Sequence, residues 1–563
     1  LYDPSGSFQS INRRYDIVYG DVMLNFNYNI RRFDIAATLG WTGRYENMNN
    51  MRVSTNGGLV TENWFDLNAS RYTASSTLQR MELLKTGYMG TLSLGWDNYL
   101  FLELTGRQER SSTLKDKSFF YPSANLSFLF SNAFRMPAWW NHGKLRLSYG
   151  IVGNAPETYA ANIIYEQGSD NGFTWNYVPS SWGNANIRPE KKYEYEIGLE
   201  SKFLNNRLGF DVSYYNNRVK DQILSTPQPS SSGVKYVLMN VGEVANEGWD
   251  ISVSATPVLT KNFRWDLTAN YGIYRNKVVK LAEGVPYLEI SNIGGGGAKI
   301  QAVEGRPMGD IYVQMPQMNE NGDYLVSDKG LYLNQTDLQR VGNINPDGVG
   351  GLFSSFSYKN IFLDFSIDFR IGGDVINEMY QYSTASGLTP ESLQYRDTEH
   401  GGLSYYYPGN NNASGTPVQV DPSSGVGPNG EIIYHDGIIL PGVVASTGEK
   451  NTRIIPAGYY YNQTYNWGTQ SEQLTYRHSV FDNTYVKLRE LTIGYPFPEK
   501  LTAKLGMTRL SVSIFGRNLF YFYKALKNYD AESSVGTSWA SQAVVGGSTT
   551  ATRNFGVSLR ASF

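Results

Sequence analysis

The chain has 563 residues, with 49 basic and 51 acidic side chains, and a formal charge of −2 at neutral pH. This balance argues against a nucleic-acid-binding protein, which would carry a clear basic excess. Cysteine is absent, which excludes disulfides, a cysteine-ligated zinc and a cysteine nucleophile. No stretch approaches 18 consecutive apolar residues, so a membrane-spanning helix is excluded as well.

Apolar and polar residues alternate along nearly the whole chain. From Phe263 to Ile273, for example, every second residue is apolar, and the residues between them are polar or glycine. Because the side chains of a strand alternate between its two faces, each such run predicts a strand with one apolar and one polar face. The predicted strands are 16–29, 33–45, 84–96, 99–110, 119–130, 144–153, 191–203, 208–220, 248–256, 263–273, 349–358, 361–370, 485–495, 510–519 and 555–563.

Alternation alone fits a soluble β-sandwich as well as a membrane barrel. The predicted strands are mostly about 9–13 residues long, which suits a tilted membrane strand and exceeds the usual five or six residues of a soluble sheet. Aromatic residues also stand at strand ends, as the interfacial girdles of a membrane barrel require. Examples are Trp41, Trp96, Tyr149, Tyr495 and Phe563.

The predicted connections alternate between short turns and long loops. Short turns include 30–32, 97–98, 204–207, 257–262 and 359–360. The long loops are 46–83, 154–190, 221–247, 274–348, 371–484 and 520–554. Outer-membrane barrels have short periplasmic turns and long outer loops, whereas a soluble sandwich has no reason to segregate loop length by side. The sequence therefore predicts an all-β, transmembrane antiparallel barrel, and the odd strand count predicts further strands before Leu1.

Segments spread along this pattern resemble the SusC/RagA family of TonB-dependent outer-membrane proteins. Residues 144–150 with Gly153-Asn154 resemble the family's KLRxSYGxxGN strand and turn, and residues 186–199 resemble its N-L-x-P-E…Y-E-x-G-L block. Further matches follow in the same order, at 203–208, 214–215, 240–242, 246–248, 276–278, 305–309, 342–346, 358–359, 485–490, 494–495 and 516–519. Their order and spacing over nearly the whole chain make the resemblance strong.

The resemblance implies a barrel similar to 22-stranded transporters with a plugged lumen, of which this chain supplies roughly the last 15 strands. The plug domain, the TonB-contacting box and the first strands are expected outside the given residues. It also implies import of oligomeric nutrients, either glycan fragments or oligopeptides, in a Bacteroidota outer membrane. The implied partners are a SusD-like surface lipoprotein, the TonB complex, outer-membrane lipid and the substrate. A non-transporting scaffold in an outer-membrane assembly is the alternative.

Aromatic clusters within the long loops are the candidate contacts to substrate or to the lipoprotein lid. Aromatic faces stack on sugar rings or pack against peptide side chains. They also serve as packing anchors for the loops themselves, and both interpretations stay open. The candidates are Trp175, Tyr177, Trp182, Tyr405, Tyr406, Tyr407, Tyr459, Tyr460, Tyr461 and Trp467, with Tyr465 in the same cluster.

Catalytic motifs such as His-Glu-x-x-His and Gly-x-Ser-x-Gly are missing, and the four histidines have no ligand spacing. We therefore predict no enzyme activity and no cofactor. Residues 319–323 and 345–348 are rich in oxygen ligands that could hold calcium, although turn formation by Asn, Asp and Gly explains both segments. Gly294 to Gly297 is predicted to be a flexible loop tip.

Two further sets of residues follow from the strand pattern. The polar faces of the strands are predicted to line a lumen and to contact a plug, with Glu194, Glu196, Glu200, Arg264 and Asp266 as examples. The last strand places four apolar side chains on one face, which we assign as a C-terminal barrel-assembly signal: Phe555, Val557, Leu559 and Phe563.

Overall fold

The computed structural model describes residues 6–114, 118–170, 173–465, 475–547 and 549–563. Within these ranges the long strands number fifteen and belong to one antiparallel sheet. They are β1 (Gln9–Ile30), β2 (Phe33–Leu59), β3 (Ser70–Trp96), β4 (Leu100–Ser111), β5 (Ser118–Phe128), β6 (Trp140–Asn154), β7 (Glu190–Phe203), β8 (Leu208–Pro227), β9 (Tyr236–Leu259), β10 (Phe263–Lys280), β11 (Gly348–Tyr358), β12 (Ile361–Ile371), β13 (Tyr485–Pro496), β14 (Arg509–Lys524) and β15 (Asn554–Ser562). Each coincides with one predicted strand, so the predicted all-β antiparallel fold is confirmed.

The connections contain the shorter elements. The helices are α1 (Phe130–Ala133), α2 (Glu378–Ala385), α3 (Pro408–Asn411), α4 (Ala457–Tyr465) and α5 (Glu499–Lys504). The short strands are Glu166–Asp170, Phe173–Tyr177, Ser181–Trp182, Tyr287–Ile293, Ala298–Val303, Asp310–Val313, Leu325–Val326, Gln339–Asn343, Asp374–Asn377, Leu403–Tyr406, Val418–Gln419, Ile433–Ile438, Val443–Val444, Ile455–Pro456, Val480–Asp482 and Val544–Val545. No helix among the described residues is long and apolar enough to cross a membrane.

The chain divides into two compact units. The first comprises Leu1–Glu247 and Val279–Val285, and the second comprises Gly248–Val278 and Pro286–Phe563. The first unit holds β1 to β8, and the second holds most of β10 together with β11 to β15. Strand β9 begins in the first unit and ends in the second.

The apolar faces of the strands are exposed. On β1, Val22, Leu24 and Phe26 are 64%, 58% and 58% exposed, and Leu24 stands opposite Leu39 of β2 in the register. A soluble β-sandwich would bury such faces between its two sheets, so that alternative is wrong. An exposed apolar face is what a strand presents to lipid.

Aromatic rings form a girdle at the short-turn end of the first unit. Ring contacts with centroid distances between 5.3 and 6.5 Å link its members one after another. The members are Phe33, Trp96, Tyr99, Phe128, Phe130, Trp140, Trp139, Phe203 and Phe210. Aromatic side chains favour the boundary between lipid and water, because a ring is apolar and its edge can be polar.

The short turns depend on residues that tolerate a left-handed backbone. Asp97 and Asn98 between β3 and β4 have φ values of 53° and 58°, and Leu204, Asn205 and Asn206 between β7 and β8 have 55°, 59° and 61°. Two successive residues of positive φ give a turn whose twist matches that of the strands it joins. Asn and Asp enter this region more easily than other non-glycine residues.

At the other end, several strands are longer than predicted. Strand β2 continues to Leu59 and β3 begins at Ser70, so most of the predicted loop 46–83 is paired strand. Most of the predicted loop 221–247 likewise belongs to β8 and β9. In 46–59 polar residues occupy both faces of the strand, so the apolar–polar alternation stops while backbone pairing continues. Sequence periodicity therefore ends before the strands do.

We predict that Leu147→Arg will impair assembly much more than Ser148→Arg. Leu147 lies in the middle of β6 on the apolar face, opposite Leu126 and Ile197, and a cation at the bilayer midplane costs about 2–4 kcal/mol. Ser148 is on the polar face, opposite Glu196, which would pair with the new guanidinium. Heat-modifiable mobility on gels and urea titration of protein folded into lipid vesicles measure the difference. Equal effects of the two substitutions would contradict the assignment of the faces.

Candidate functional site

The connections after β10, β12 and β14 fold together in the second unit. We call the described residues of 286–347, 372–484 and 525–553 the loop body. Its largest hydrophobic cluster takes residues from all three connections, including Ile300, Ile311, Ile376, Tyr476 and Val544, each at most 3% exposed. The connections are therefore one packed structure rather than three separate loops.

A buried carboxylate organises the first connection. Asp310 is fully buried and its Oδ2 accepts from Arg306 Nε at 2.6 Å and from Arg340 Nε at 2.9 Å. Its Oδ1 accepts from Asn343 Nδ2 at 2.9 Å. A buried carboxylate requires such partners, because an uncompensated charge in the interior is costly. Asp310 therefore ties its own strand, Asp310–Val313, to the strand Gln339–Asn343, its neighbour in a four-stranded sheet.

Glu532 ties the third connection to the strands. Its carboxylate accepts from Lys487 Nζ at 2.5 Å and from Arg489 Nη1 and Nη2 at 2.9 and 2.5 Å. Arg489 Nε also donates to Asp368 at 2.6 Å. Burial raises the pKa of Glu532, but the hydrogen bonds from Arg489 and Lys487 outweigh it and hold the pKa below its ordinary value. The loop body is thus joined to β12 and β13 by an ionic network.

Arg370, near the end of β12, links the first connection of the loop body to the second. Its Nη2 donates to the carbonyl oxygen of Ile344 at 3.0 Å, and its Nε donates to that of Gly372 at 3.2 Å. The backbone amide of Gly372 donates to Thr484 Oγ1 at 2.9 Å, next to the start of β13. These bonds fix the points at which the loop body leaves the strands.

Most candidate aromatic residues of the loop body are packing residues. Tyr405, Tyr407 and Tyr461 are 1%, 9% and 6% exposed. The Tyr405 hydroxyl donates to Asp436 Oδ1 at 3.1 Å, and the Tyr461 hydroxyl donates to the carbonyl oxygen of Glu391 at 2.8 Å. Burial raises the pKa of the Tyr405 hydroxyl well above its ordinary value, and burial raises the pKa of Tyr461 to about 12. These side chains hold the loop body together.

The remaining candidates of the loop body differ in exposure. Tyr459 is 37% exposed, and Tyr406 and Tyr460 are half-buried. Tyr465, from the same helix α4, is buried in the cluster of Ala457 and Tyr461. Trp467 lies outside the described residues. Tyr460 packs against the clusters of Leu331 and of Ala457, so Tyr459 and Tyr406 are the accessible members of this set.

In the first unit, a hairpin carries two of the candidates on its surface. The strands Glu166–Asp170 and Phe173–Tyr177 pair antiparallel, and Trp175 and Tyr177 are 47% and 44% exposed. Gly168 stands opposite Trp175, and a Cβ at this glycine would come within 2.7 Å of the indole. Trp182 is half-buried, and its short strand pairs with the start of β9. The hairpin thus presents aromatic surface, whereas Trp182 anchors the same connection.

Charged side chains on the polar faces of the strands form ion pairs with one another. Arg146 Nη2 lies 2.5 Å from Asp211 Oδ1, and Arg264 Nε lies 2.5 Å from Asp266 Oδ2. Glu200 has His142, Arg146 and Lys202 within 3.6 Å. Glu194 pairs with Lys192 at 2.5 Å. The polar faces predicted from the sequence are therefore ionic surfaces, while their contact with a plug stays a prediction.

Three residues of the assigned C-terminal signal lie on the apolar face of β15, which pairs with β14, and Phe563 follows the strand directly. Phe555, Val557 and Leu559 are 75%, 70% and 69% exposed, and Phe563 is 84% exposed. Its role in barrel assembly stays a prediction.

The calcium candidate 319–323 and the glycine run have local explanations. Asn319 Oδ1 accepts from the backbone amides of Asn321 and Asp323, each at 2.9 Å, so this side chain shapes its own turn. In the part of the chain that the structure describes, no three His, Asp or Glu side chains are grouped closely enough to hold a metal. Gly294–Gly296 forms one turn of 3-10 helix next to Tyr476, where the sequence predicted a flexible tip.

Sequence reasoning missed Asp310, Arg370 and Glu532. Arg306 and Arg340 lie within or near segments that resemble the family, but nothing in the local pattern marks Asp310 as buried. Glu532 stands in a polar stretch with turn character and gives no signal of its own. These residues gain their roles from contacts between distant segments, and Glu532 meets Arg489 across 43 positions.

Antiparallel strands with an exposed apolar face, an aromatic girdle and folded loops define an outer-membrane β-barrel protein. The family model described as TonB dependent receptor-like, beta-barrel matches residues 1–311, more than half of the chain. The chain belongs to this family.

Individual relatives agree with this membership. The TonB-dependent receptor P3 of Formosa agariphila is 23% identical over 483 residues, which cover 80% of this chain and 42% of that protein. The TonB-dependent receptor SusC of Bacteroides thetaiotaomicron is 27% identical over 247 residues, covering 40% of this chain and 24% of that protein. The predicted kinship with SusC and RagA is confirmed.

A solved structure shares the fold over nearly the whole chain. The RagAB peptide transporter matches with a TM-score of 0.68 and 18% identity, covering 98% of this chain and 57% of that chain. The RagAB peptide importer in its closed-closed state matches with a TM-score of 0.70. The chain therefore spans little more than half of these structures, and less than half of P3 and SusC.

We predict that Glu532→Gln will release the third connection from the strands. The substitution leaves Lys487, whose side chain is 3% exposed, without a negative partner, and breaking a buried pair costs about 3–5 kcal/mol. We expect faster proteolysis within 525–553, measured by mass spectrometry of timed digests. Glu449→Gln, at an exposed position of the same loop body, is the matched control. Equal cleavage of both variants would contradict the role of Glu532.

The same contact predicts a pH dependence. A carboxyl group with a lowered folded-state pKa stabilises the folded form above its unfolded pKa, and this stabilisation is lost as the pH falls through the folded value. Protection of 525–553 should therefore be complete at neutral pH and decline below the ordinary glutamate value of 4.5. In the Glu532→Gln variant, the protection of 525–553 should lack the part of the acid-induced decline that comes from this carboxyl group.

We predict that Tyr405→Ala will destabilise the loop body, whereas Tyr459→Ala will not. Truncating a buried aromatic side chain costs about 3–5 kcal/mol, and surface substitutions usually change stability by about 0.5 kcal/mol or less. Urea-dependent proteolysis of the loop body measures both variants. Equal urea midpoints for the two variants would contradict the role of Tyr405 in packing the loop body.

Proposed function

We propose that the whole protein imports an oligomeric nutrient across the outer membrane with energy from the TonB complex. Membership of the TonB-dependent receptor family, from the match over residues 1–311, is the observation that carries this proposal. The lipid-facing apolar surface and the charged polar faces of the strands are consistent with it. The paired charges on the polar faces of the strands are the surface that we propose a plug domain contacts.

A SusD-like surface lipoprotein is the proposed partner. The exposed aromatic residues of the 166–177 hairpin, and Tyr459 and Tyr406 of the loop body, are the proposed contacts to this lipoprotein or to substrate. Aromatic side chains are enriched at protein interfaces because they bury a large area at low entropic cost. The cargo is either glycan fragments or oligopeptides. The structural relative RagAB is named a peptide transporter.

A non-transporting scaffold is the second candidate. The long connection between β12 and β13 is folded and packed into the loop body, which gives it the size and rigidity of a docking platform. A scaffold would use the same exposed residues to hold other outer-membrane proteins. It would have no need of TonB.

We predict that the tagged full-length protein, purified from native outer membranes in mild detergent, will carry one stoichiometric SusD-like lipoprotein. Quantitative mass spectrometry measures this ratio, and uptake assays with and without TonB measure energised import. Trp175→Ala with Tyr177→Ala should reduce the ratio, whereas Tyr72→Ala, at a position on β3 that is 63% exposed, should not. Several unrelated outer-membrane proteins, with no TonB-dependent uptake, would favour the scaffold.

A further inference from the structure

A cavity of about 470 Å³ opens within the loop body. One side is formed by Ser386 and Gly387 at the end of helix α2, and another by Gly458 at the start of helix α4. Arg396 and Asp436 complete its charged lining. The volume lies in the range of small-ligand pockets, and every lining residue belongs to the second unit.

The Arg396 guanidinium is held in place but not neutralised. Its Nη2 donates to the carbonyl oxygen of Gly387 at 2.9 Å, which fixes the side chain against the cavity wall. No carboxylate among the described residues lies within 4 Å of it. A guanidinium has five N–H groups, so most of its donors remain for a ligand.

Asp436 is the opposite charge on the same cavity. Its Oδ1 accepts from the Tyr405 hydroxyl at 3.1 Å, and Tyr405 is fixed by ring contacts with Tyr407 and Tyr434. In the described ranges no lysine, arginine or histidine nitrogen forms an ion pair with Asp436. The carboxylate is therefore oriented by a buried neighbour and keeps its second oxygen for a ligand.

Two fixed, opposite charges thus line one cavity without pairing with each other. A ligand with both an anionic and a cationic group would satisfy each of them by a charge-assisted hydrogen bond. A ligand with one charge would leave the other wall charge without a partner. The arrangement therefore selects for a zwitterion.

The lining does not suit a sugar ring. Carbohydrate sites offer the open face of an aromatic ring for stacking, and Tyr461 is the one Phe, Tyr or Trp side chain in the described lining. Tyr461 is 6% exposed and packs against Tyr460 and Tyr465. Its ring belongs to the wall and presents little face to a ligand.

We propose that this cavity binds the charged ends of a short peptide, with the carboxylate on Arg396 and the ammonium group on Asp436. The inference rests on the proposed import function and specifies its cargo as short peptides rather than glycan fragments. Ser386 and the rim histidine His435, whose Nδ1 lies 2.9 Å from Ser404 Oγ, complete the polar wall.

The test is calorimetric binding of unblocked trialanine to the full-length protein in mild detergent. Loss of one charged hydrogen bond of about 1.5–3 kcal/mol weakens binding about 10- to 150-fold, which is the expected effect of Arg396→Gln and of Asp436→Asn. Arg477→Gln and Asp337→Asn, at exposed positions of the same loop body, are matched controls and should leave binding unchanged.

Blocked peptides test the same contacts without altering the protein. Amidation of the carboxyl end should weaken binding to the wild type and remove any further effect of Arg396→Gln. Acetylation of the amino end should do the same for Asp436→Asn. Equal binding of blocked and unblocked peptides would overturn the proposal, and so would variants that bind trialanine like the wild type.

A neutral maltotriose that binds the wild type and is lost in both variants would also overturn it, because the site would then recognise a glycan. These outcomes are separable from a failure of the proposed import function. That function stands or falls on the lipoprotein ratio and on TonB-dependent uptake, neither of which requires this cavity.

Discussion

A backbone amide or carbonyl group that lacks a hydrogen-bond partner within a bilayer costs several kcal/mol, and the strands of this chain meet that constraint by pairing with each other. Strand β6, for example, pairs with β5 on one side and with β7 on the other. With the backbone satisfied, the two faces of each strand are free to differ. One face carries apolar side chains for lipid, and the other carries charges that pair along the wall.

The loops face a different solvent and meet a different requirement. In water, long connections become ordered only when they bury enough apolar surface to offset the entropy of fixing the chain. The loop body does so with clusters such as Ile300, Ile311 and Ile376. Tyrosine suits these clusters because its hydroxyl can reach a carbonyl or a carboxylate, as Tyr461 and Tyr405 do. The aromatic richness of the loops is therefore in part a folding requirement.

Ionic contacts join the loop body to the strands, whereas two charges outside these contacts line the cavity proposed to bind a peptide. Glu532 and Asp368 neutralise Arg489 and Lys487 at the strand ends. Arg396 and Asp436 form no ion pair with any residue that the structure describes, and both line a cavity. The same residue types thus serve structure where they are paired and provide a candidate binding site where they are not. This difference separates the proposed peptide cavity from the surrounding network.

The order and faces of the strands were determined by the sequence itself, because alternation with period two is a local property of each strand. The segments resembling SusC and RagA likewise identified the family from short stretches. Only the tertiary structure decided that Tyr405 and Tyr461 are packed inside while Tyr459 is exposed, since neighbouring tyrosines in one loop look alike in sequence. It also decided the partners of Asp310 and Glu532 and the cavity between Arg396 and Asp436. These depend on contacts between distant segments, which no local pattern encodes.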